Sequence, residues 1–148
     1  MEKDDLLKMM GDIPFFADMS KAERQELLSF EDHWMNVPSQ QKVLNEGEMD
    51  TGFFVLIKGS VSITKTFPTE THLAYLMPGG IFGEVTLRNQ RARNSNVMAD
   101  EDCVILKVDH QLLAQLNLKI LVKVKSQIIE LLIDRLDEVN HRMGSFLR

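Results

Sequence analysis

Residues 52–65 read GFFVLIKGSVSITK. Two short runs rich in aromatic and β-branched residues meet at Lys58-Gly59, which is turn chemistry. In the second run Val61 and Ile63 alternate with Ser60, Ser62 and Thr64, the two-residue period of a strand that turns one face to a core. Working outward, segments of the same kind recur every 8 to 12 residues from His33 to Val108: HWMNV and KVLNE before the pair, HLAYLM, NSNVMA and CVILKV after it. Pro78-Gly79-Gly80 supplies a further turn. The spacers are too short for crossover helices, which argues against a parallel α/β sheet. The pattern is that of a sandwich or barrel of short strands.

On both sides of this block the period becomes helical. Leu6, Leu7, Met10, Ile13, Phe15 and Phe16 supply an apolar face broken by Gly11 and Pro14. Ser20 and Glu23 form a capping box, each side chain able to satisfy an orphan amide of the same first turn, so a helix is predicted from about Lys21 to Phe30. After Asp109, HQLLAQL reads as a short amphipathic helix, and a long one follows from Lys119 to about Arg142, with no Pro or Gly before Gly144. In it Val122, Ile129, Leu132, Leu136, Val139 and Met143 fall on a and d heptad positions, interrupted by Lys125. That row suits packing back on the β-unit or the seam of a dimer, and different faces could serve each. The expected class is α+β: one domain over 1–148, with N-terminal helices (1–31), a jelly-roll-like β-barrel (32–108) and a long C-terminal helix within 109–148.

Composition narrows the function. The chain has 148 residues and a formal net charge of −5, which argues against direct nucleic-acid binding, where clustered Lys and Arg must meet phosphates over a broad face. No apolar run approaches the roughly 18 residues that span a bilayer, and MEKDDLLKMM carries acids where a secretory signal carries positive charge. Membrane association is therefore not expected, and a cytoplasmic location is. Cys103 is the sole cysteine, which excludes an intrachain disulfide and a multi-cysteine metal site. His33, His72, His110 and His141 all lie more than thirty residues apart, so no metal is expected, because a barrel metal site needs a closely spaced His pair with a third ligand. Ser95 has no base placed by sequence to activate it. Cys103 follows Asp102, an acid expected to raise its thiol pKa; it reads as a small core residue, and Trp34 reads as core rather than as a ligand platform. No catalysis is expected.

One stretch breaks the acidic balance: residues 79–97, GGIFGEVTLRNQRARNSNV, place Arg88, Arg91 and Arg93 just behind Glu84. One reading is a solvated loop paired to surface acids. The other is an anion site: a short helical turn after the glycine-flanked carboxylate would present free amides, and a returning arginine would offer a planar fork to a phosphate. Glu84, an acceptor only, suits a hydroxyl. A hydroxyl acceptor beside a phosphate fork describes a ribose phosphate.

The stretch resembles the phosphate-binding cassette of the cyclic nucleotide-binding domain family, roughly F-G-E-[LI]-A-L, several variable residues, then P-R-[AST]-A-[ST]-V. Phe82, Gly83, Glu84, Leu87, Arg93 and Val97 match without gaps. Upstream, NEGEMDTGFFVLIKGSVSI is similar to the family's E-G-D-x-x-x-x-x-Y-x-I-x-x-G-x-V-x-V, with Gly47 and Gly59 on its glycines and Phe54 on its aromatic; LMPGGIFGE resembles L-x-P-G-D-x-F-G-E. The resemblance, from about Ile13 to Leu116, implies a binding site for cAMP or cGMP in the cassette 82–97. Glu84 would accept from the ribose 2′-hydroxyl and Arg93 would hold the cyclic phosphate, helped by amides such as those of Thr86 and Asn94. Gly83 would allow close approach, and Phe82, Val85 and Ser95 would complete the cassette. It further implies a regulatory sensor in which the ligand repositions the C-terminal helix to control a dimer, a partner or an attached output domain, with Arg135, Asn140 or His141 covering the base. The residue after the arginine, which helps set base preference in some members, is Asn94 here. Ala92 replaces the usual Pro, Thr86 and Ser95 a usual Ala, and Asn96 a usual Ser or Thr. These departures keep open a degenerate β-roll that binds no nucleotide and serves dimerisation or docking. Arg88 and Arg91 have no role by this resemblance.

Overall fold

The computed structural model describes residues 2–66, 68–83 and 91–147, and at residues 91 and 145–147 the backbone alone. It falls into two compact units, Met1–Leu116 and Asn117–Arg148.

In the first unit, α1 (Lys3–Gly11) and α2 (Lys21–Leu28) precede ten strands: β1 (Trp34–Val37), β2 (Lys42–Leu44), β3 (Met49–Asp50), β4 (Phe53–Lys58), β5 (Val61–Lys65), β6 (Thr71–Leu76), β7 (Ile81–Phe82), β8 (Arg91–Ala92), β9 (Asn96–Ala99) and β10 (Cys103–Val108). They form two four-stranded sheets, ordered β1-β10-β4-β7 and β2-β9-β5-β6, and a small ribbon of β3 with β8. Every pairing among the described residues is antiparallel. The fold is therefore the α+β, jelly-roll-like arrangement that the strand spacing predicts. All seven strand segments read from the sequence are present, and β3, β7 and β8, each two residues long, are additions.

The two sheets share one core. Phe54 and Leu56 of β4 point inward to meet Val37, Leu44, Val61, Phe82, Val97, Ala99, Cys103 and Ile105. Phe53, Val55 and Ile57 on the opposite face are buried too, and the Phe53 ring meets Phe15 edge-on at 6.0 Å. Burial on both faces is why β4 reads as an unbroken apolar run whereas β5 alternates. At the outer edge, β6 leaves Leu73 and Tyr75 exposed.

The capping box is formed: Ser20 Oγ accepts from the Glu23 amide at 3.2 Å and Glu23 Oε1 accepts from the Ser20 amide at 2.9 Å. Helix α2 ends at Leu28, two residues short of expectation, because the chain tightens through i→i−3 bonds into a 3₁₀ turn at Glu31–His33. Trp34 is half-buried rather than core, and its indole N–H donates to the Leu27 carbonyl at 3.1 Å. His33 is buried with Nδ1 3.7 Å from Asp109 Oδ1, and the His72 ring lies 4.0 Å from that of Tyr75. Among the described residues, no three His, Cys, Asp or Glu side chains gather as a metal site would need. Burial pushes the Cys103 thiol pKa up, with Glu101 and Asp100 adding to it. The adjacent Asp102, expected to act on the thiol, instead accepts from the Ser39 amide at 2.9 Å. Asp109 caps α3 (His110–Gln115) by accepting from the Leu112 amide at 2.9 Å.

The second unit is α4 (Leu118–Leu147) with its cap, the Asn117 side chain accepting from the Ile120 amide at 3.0 Å. It runs past Gly144, since one glycine weakens a helix without breaking it. Its buried positions are Ile120, Val124 and Ile128. The heptad row is a different one: Val122, Ile129, Leu132, Leu136, Val139 and Met143 are 47–59% exposed. No helix among the described residues is long and apolar enough to cross a membrane.

Candidate functional site

The ribbon of β3 and β8 fixes the arginine segment. Met49 pairs with Ala92 and Asp50 with Arg91. One residue on, the Arg93 amide donates to the Glu48 carbonyl at 2.9 Å, and its carbonyl accepts from the Gly47 amide at 2.8 Å. Held on both sides, Arg93 sends its side chain inward, where it is 4% exposed.

Its guanidinium is gripped from one side. Nη2 donates to the Thr51 carbonyl at 3.2 Å and the Gly52 carbonyl at 3.0 Å, and lies 3.2 Å from Asp50 Oδ2. Gly52 can offer that carbonyl because it has φ +85° and no Cβ, which would lie 2.6 Å from the Val108 carbonyl oxygen. Asp50 Oδ1 accepts from the Thr51 amide at 2.8 Å and from Lys107 Nζ at 3.1 Å. The Phe54 ring lies beneath both cations, with Arg93 Cζ 5.7 Å and Lys107 Nζ 5.8 Å from its centroid. Burial pushes the Asp50 carboxyl upward, but the Thr51 amide, Lys107 and Arg93 together outweigh it and hold the group below its ordinary value.

The rest of the guanidinium is unspent. Nε and Nη1 are buried and have no hydrogen-bond partner among the described residues. A buried donor left unmatched costs about 1–3 kcal/mol, so the arrangement calls for an acceptor, and the positive charge favours an anionic one. A phosphate fits that demand.

Gly83 closes on the same group. It follows Phe82, whose ring stacks on Phe54 at 5.2 Å and 11°. With φ +88°, a Cβ at Gly83 would lie 3.2 Å from Phe54 Cδ2 and 3.3 Å from Arg93 Nη1. Gly83→Ala is expected to lower the unfolding free energy by about 1–2 kcal/mol from the left-handed backbone alone, read as a drop in the urea midpoint. An unchanged midpoint would contradict the assigned backbone conformation.

The structure thus brings Phe82, Gly83 and Arg93 together. Asn94 is exposed and Ser95 half-buried just beyond. Glu84, Val85 and Thr86, and with them Arg88, lie outside the described residues. Asn96, which departs from the family pattern, is 7% exposed and has its own work: Oδ1 accepts from the Glu46 amide and Nδ2 donates to Thr66 Oγ1, both at 2.8 Å. Arg135, Asn140 and His141 lie on α4. Sequence reasoning missed Asp50 and Lys107. Lys107 did leave a signal, as a charge inside the otherwise apolar strand CVILKV; Asp50 left none that distinguishes it from Glu46 or Glu48.

Comparison with known proteins accords with this geometry. The profile described as "Cyclic nucleotide-binding domain" matches residues 34–118. Human cGMP-dependent protein kinase 2 is 35% identical over 75 residues, covering 47% of this chain and 10% of the kinase. The cAMP-dependent protein kinase regulatory subunit of Mycosarcoma maydis is 30% identical over 93 residues, covering 62% of this chain and 18% of that protein. The chain therefore spans under a fifth of the length of either relative. Among solved structures, the catabolite activator protein of Thermus thermophilus superposes with a TM-score of 0.73 at 24% identity, over 88% of this chain and 62% of that one. A cyclic nucleotide-binding domain from Methylobacillus flagellatus gives 0.71 at 24% identity, over 94% and 80%. These two likenesses establish the fold. The profile match runs from the first strand to the start of α4, through the residues that surround Arg93, and the chain belongs to the cyclic nucleotide-binding domain family.

Proposed function

We propose that this chain is a cytoplasmic sensor domain for cAMP or cGMP, without catalysis of its own. Arg93 holds the cyclic phosphate, Glu84 accepts from the ribose 2′-hydroxyl, and Phe82, Gly83, Val85, Thr86, Asn94 and Ser95 line the ligand. The observation that carries this reading is the buried guanidinium of Arg93, anchored through Nη2 while Nε and Nη1 are left unmatched. Ligand capture repositions the cassette and the C-terminal helix, shifting the population between two packings that a dimer, partner or output domain reads. The exposed heptad row of α4 supports a homodimer as that reader, since a two-stranded seam needs such a row.

Calorimetric titration with cAMP, cGMP and 5′-AMP tests the reading. One cyclic nucleotide is expected to bind saturably at one site per chain, and more tightly than 5′-AMP. Absence of binding by both cyclic nucleotides at millimolar concentration would overturn it in favour of a β-roll that serves only docking or dimerisation.

A further inference from the structure

We propose that Lys107, on β10 and outside the cassette, sets the charge of the phosphate site by engaging the second oxygen of Asp50, and so acts as a positioning residue for ligand binding. The inference rests on the reading above that a cyclic phosphate is the anion at Arg93.

Asp50 has two opposed effects. Its Oδ2, 3.2 Å from Arg93 Nη2, helps aim the guanidinium. The same carboxylate cancels the positive charge that an incoming anion would feel, so Arg93 and Asp50 alone would form a neutral pair. Lys107 reverses that cancellation. Its Nζ lies 3.1 Å from Asp50 Oδ1, and the three side chains together carry one net positive charge. A cyclic phosphodiester carries one negative charge, so the cluster and the ligand match.

The fold delivers Lys107 from 57 residues away in sequence by strand register. On β10 it stands directly opposite Phe54 of β4, the ring under both cations. Its side chain is 28% exposed, and its neighbours on either side, Leu106 and Val108, are buried. A lysine at such a position loses hydration and needs a partner. Asp50 and the Phe54 ring supply it. Both partners of this contact, Asp50 on β3 and Lys107 on β10, lie outside the cassette in sequence.

The test uses the full chain with Lys107→Met, which keeps much of the stem and removes the charge, and Lys107→Arg, which restores it. Lys107→Gln serves as a second neutral variant should Met disturb folding, which circular dichroism reports. Calorimetry with cAMP and cGMP is expected to show about 5- to 10-fold weaker binding for the neutral variants, an effect that shrinks as salt screens the charges. Lys107→Arg should stay within about twofold of the parent chain, because the charge is kept. Carboxyl NMR of the ligand-free protein should show Asp50 titrating at higher pH in Lys107→Met. Neutral variants that bind as tightly as the parent, even with the Asp50 titration shifted, overturn this inference and leave the sensor reading intact. A parent chain that binds neither nucleotide overturns both.

Discussion

Arg93→Ala is expected to weaken cyclic nucleotide binding by roughly 10- to 150-fold or more, on the basis that a hydrogen bond to a charged group contributes roughly 1.5–3 kcal/mol and each 1.4 kcal/mol is a factor of ten. The structure explains why the loss should fall on affinity. Nη2 is committed to the Thr51 and Gly52 carbonyls and to Asp50, whereas Nε and Nη1 have no partner among the described residues. The mutation deletes the two unmatched donors, which the proposed function assigns to the phosphate, together with the one that serves the fold. It leaves Asp50 paired to Lys107, so no uncompensated charge is stranded in the site. Arg93→Lys should fall between the parent and Ala, because an ammonium keeps the charge but cannot both grip the carbonyls and present a planar fork. Arg91→Ala should do much less, since Arg91 contributes to β8 through its backbone pairing with Asp50. Calorimetry on the three variants decides the matter, and equal losses from Arg91→Ala and Arg93→Ala would refute the register of the cassette.

What was legible beforehand follows from how local each signal is. The alternation at Val61 and Ile63, the Lys58-Gly59 turn and the short spacers are properties of neighbouring residues, and they suffice to predict antiparallel strands and a shared core. The Ser20–Glu23 capping box spans three residues and appears as predicted. Features that depend on register across distant strands were not legible. Lys107 meets Asp50 only because β10 is aligned on β4 so that Lys107 faces Phe54. The acids that act on Cys103 are Glu101 and Asp100, since Asp102 turns to the Ser39 amide. Helix α4 shows a third kind of limit: its sequence carries two apolar rows, and a heptad count finds Val122, Leu132 and Leu136 without revealing that Ile120, Val124 and Ile128 are the buried ones. Within the candidate site, Arg93 was singled out through the spacing of a motif, while the three acceptors on its Nη2 come from Asp50 at the end of β3 and from Thr51 and Gly52 just after it, and had no counterpart in that motif.

Phe54→Ala should show the largest loss of stability, about 3–5 kcal/mol, the range for truncating a buried phenylalanine. Phe54 is 2% exposed and sits where three parts of the molecule meet. Its ring stacks on Phe82 at the entrance of the cassette, lies under Arg93 and Lys107, and faces the position where a Gly83 side chain would be. A cavity there removes core contacts and the floor beneath both cations together. Phe54→Leu separates the two roles. Leucine keeps much of the apolar volume, so the stability cost should be only about 1 kcal/mol more than that of a well-tolerated core swap. It has no π face, however, and a cation over an aromatic ring contributes about 0.5–1 kcal/mol where it is exposed, as for Lys107, and about 2 kcal/mol where it is desolvated, as for Arg93. The leucine variant should therefore unfold at a urea midpoint nearer to the parent than to Phe54→Ala, yet bind cyclic nucleotide several-fold more weakly than the parent. If leucine restored affinity as fully as it restores stability, Phe54 would be a core residue that happens to lie under two cations, and the aromatic floor would have no part in holding Arg93 for the phosphate.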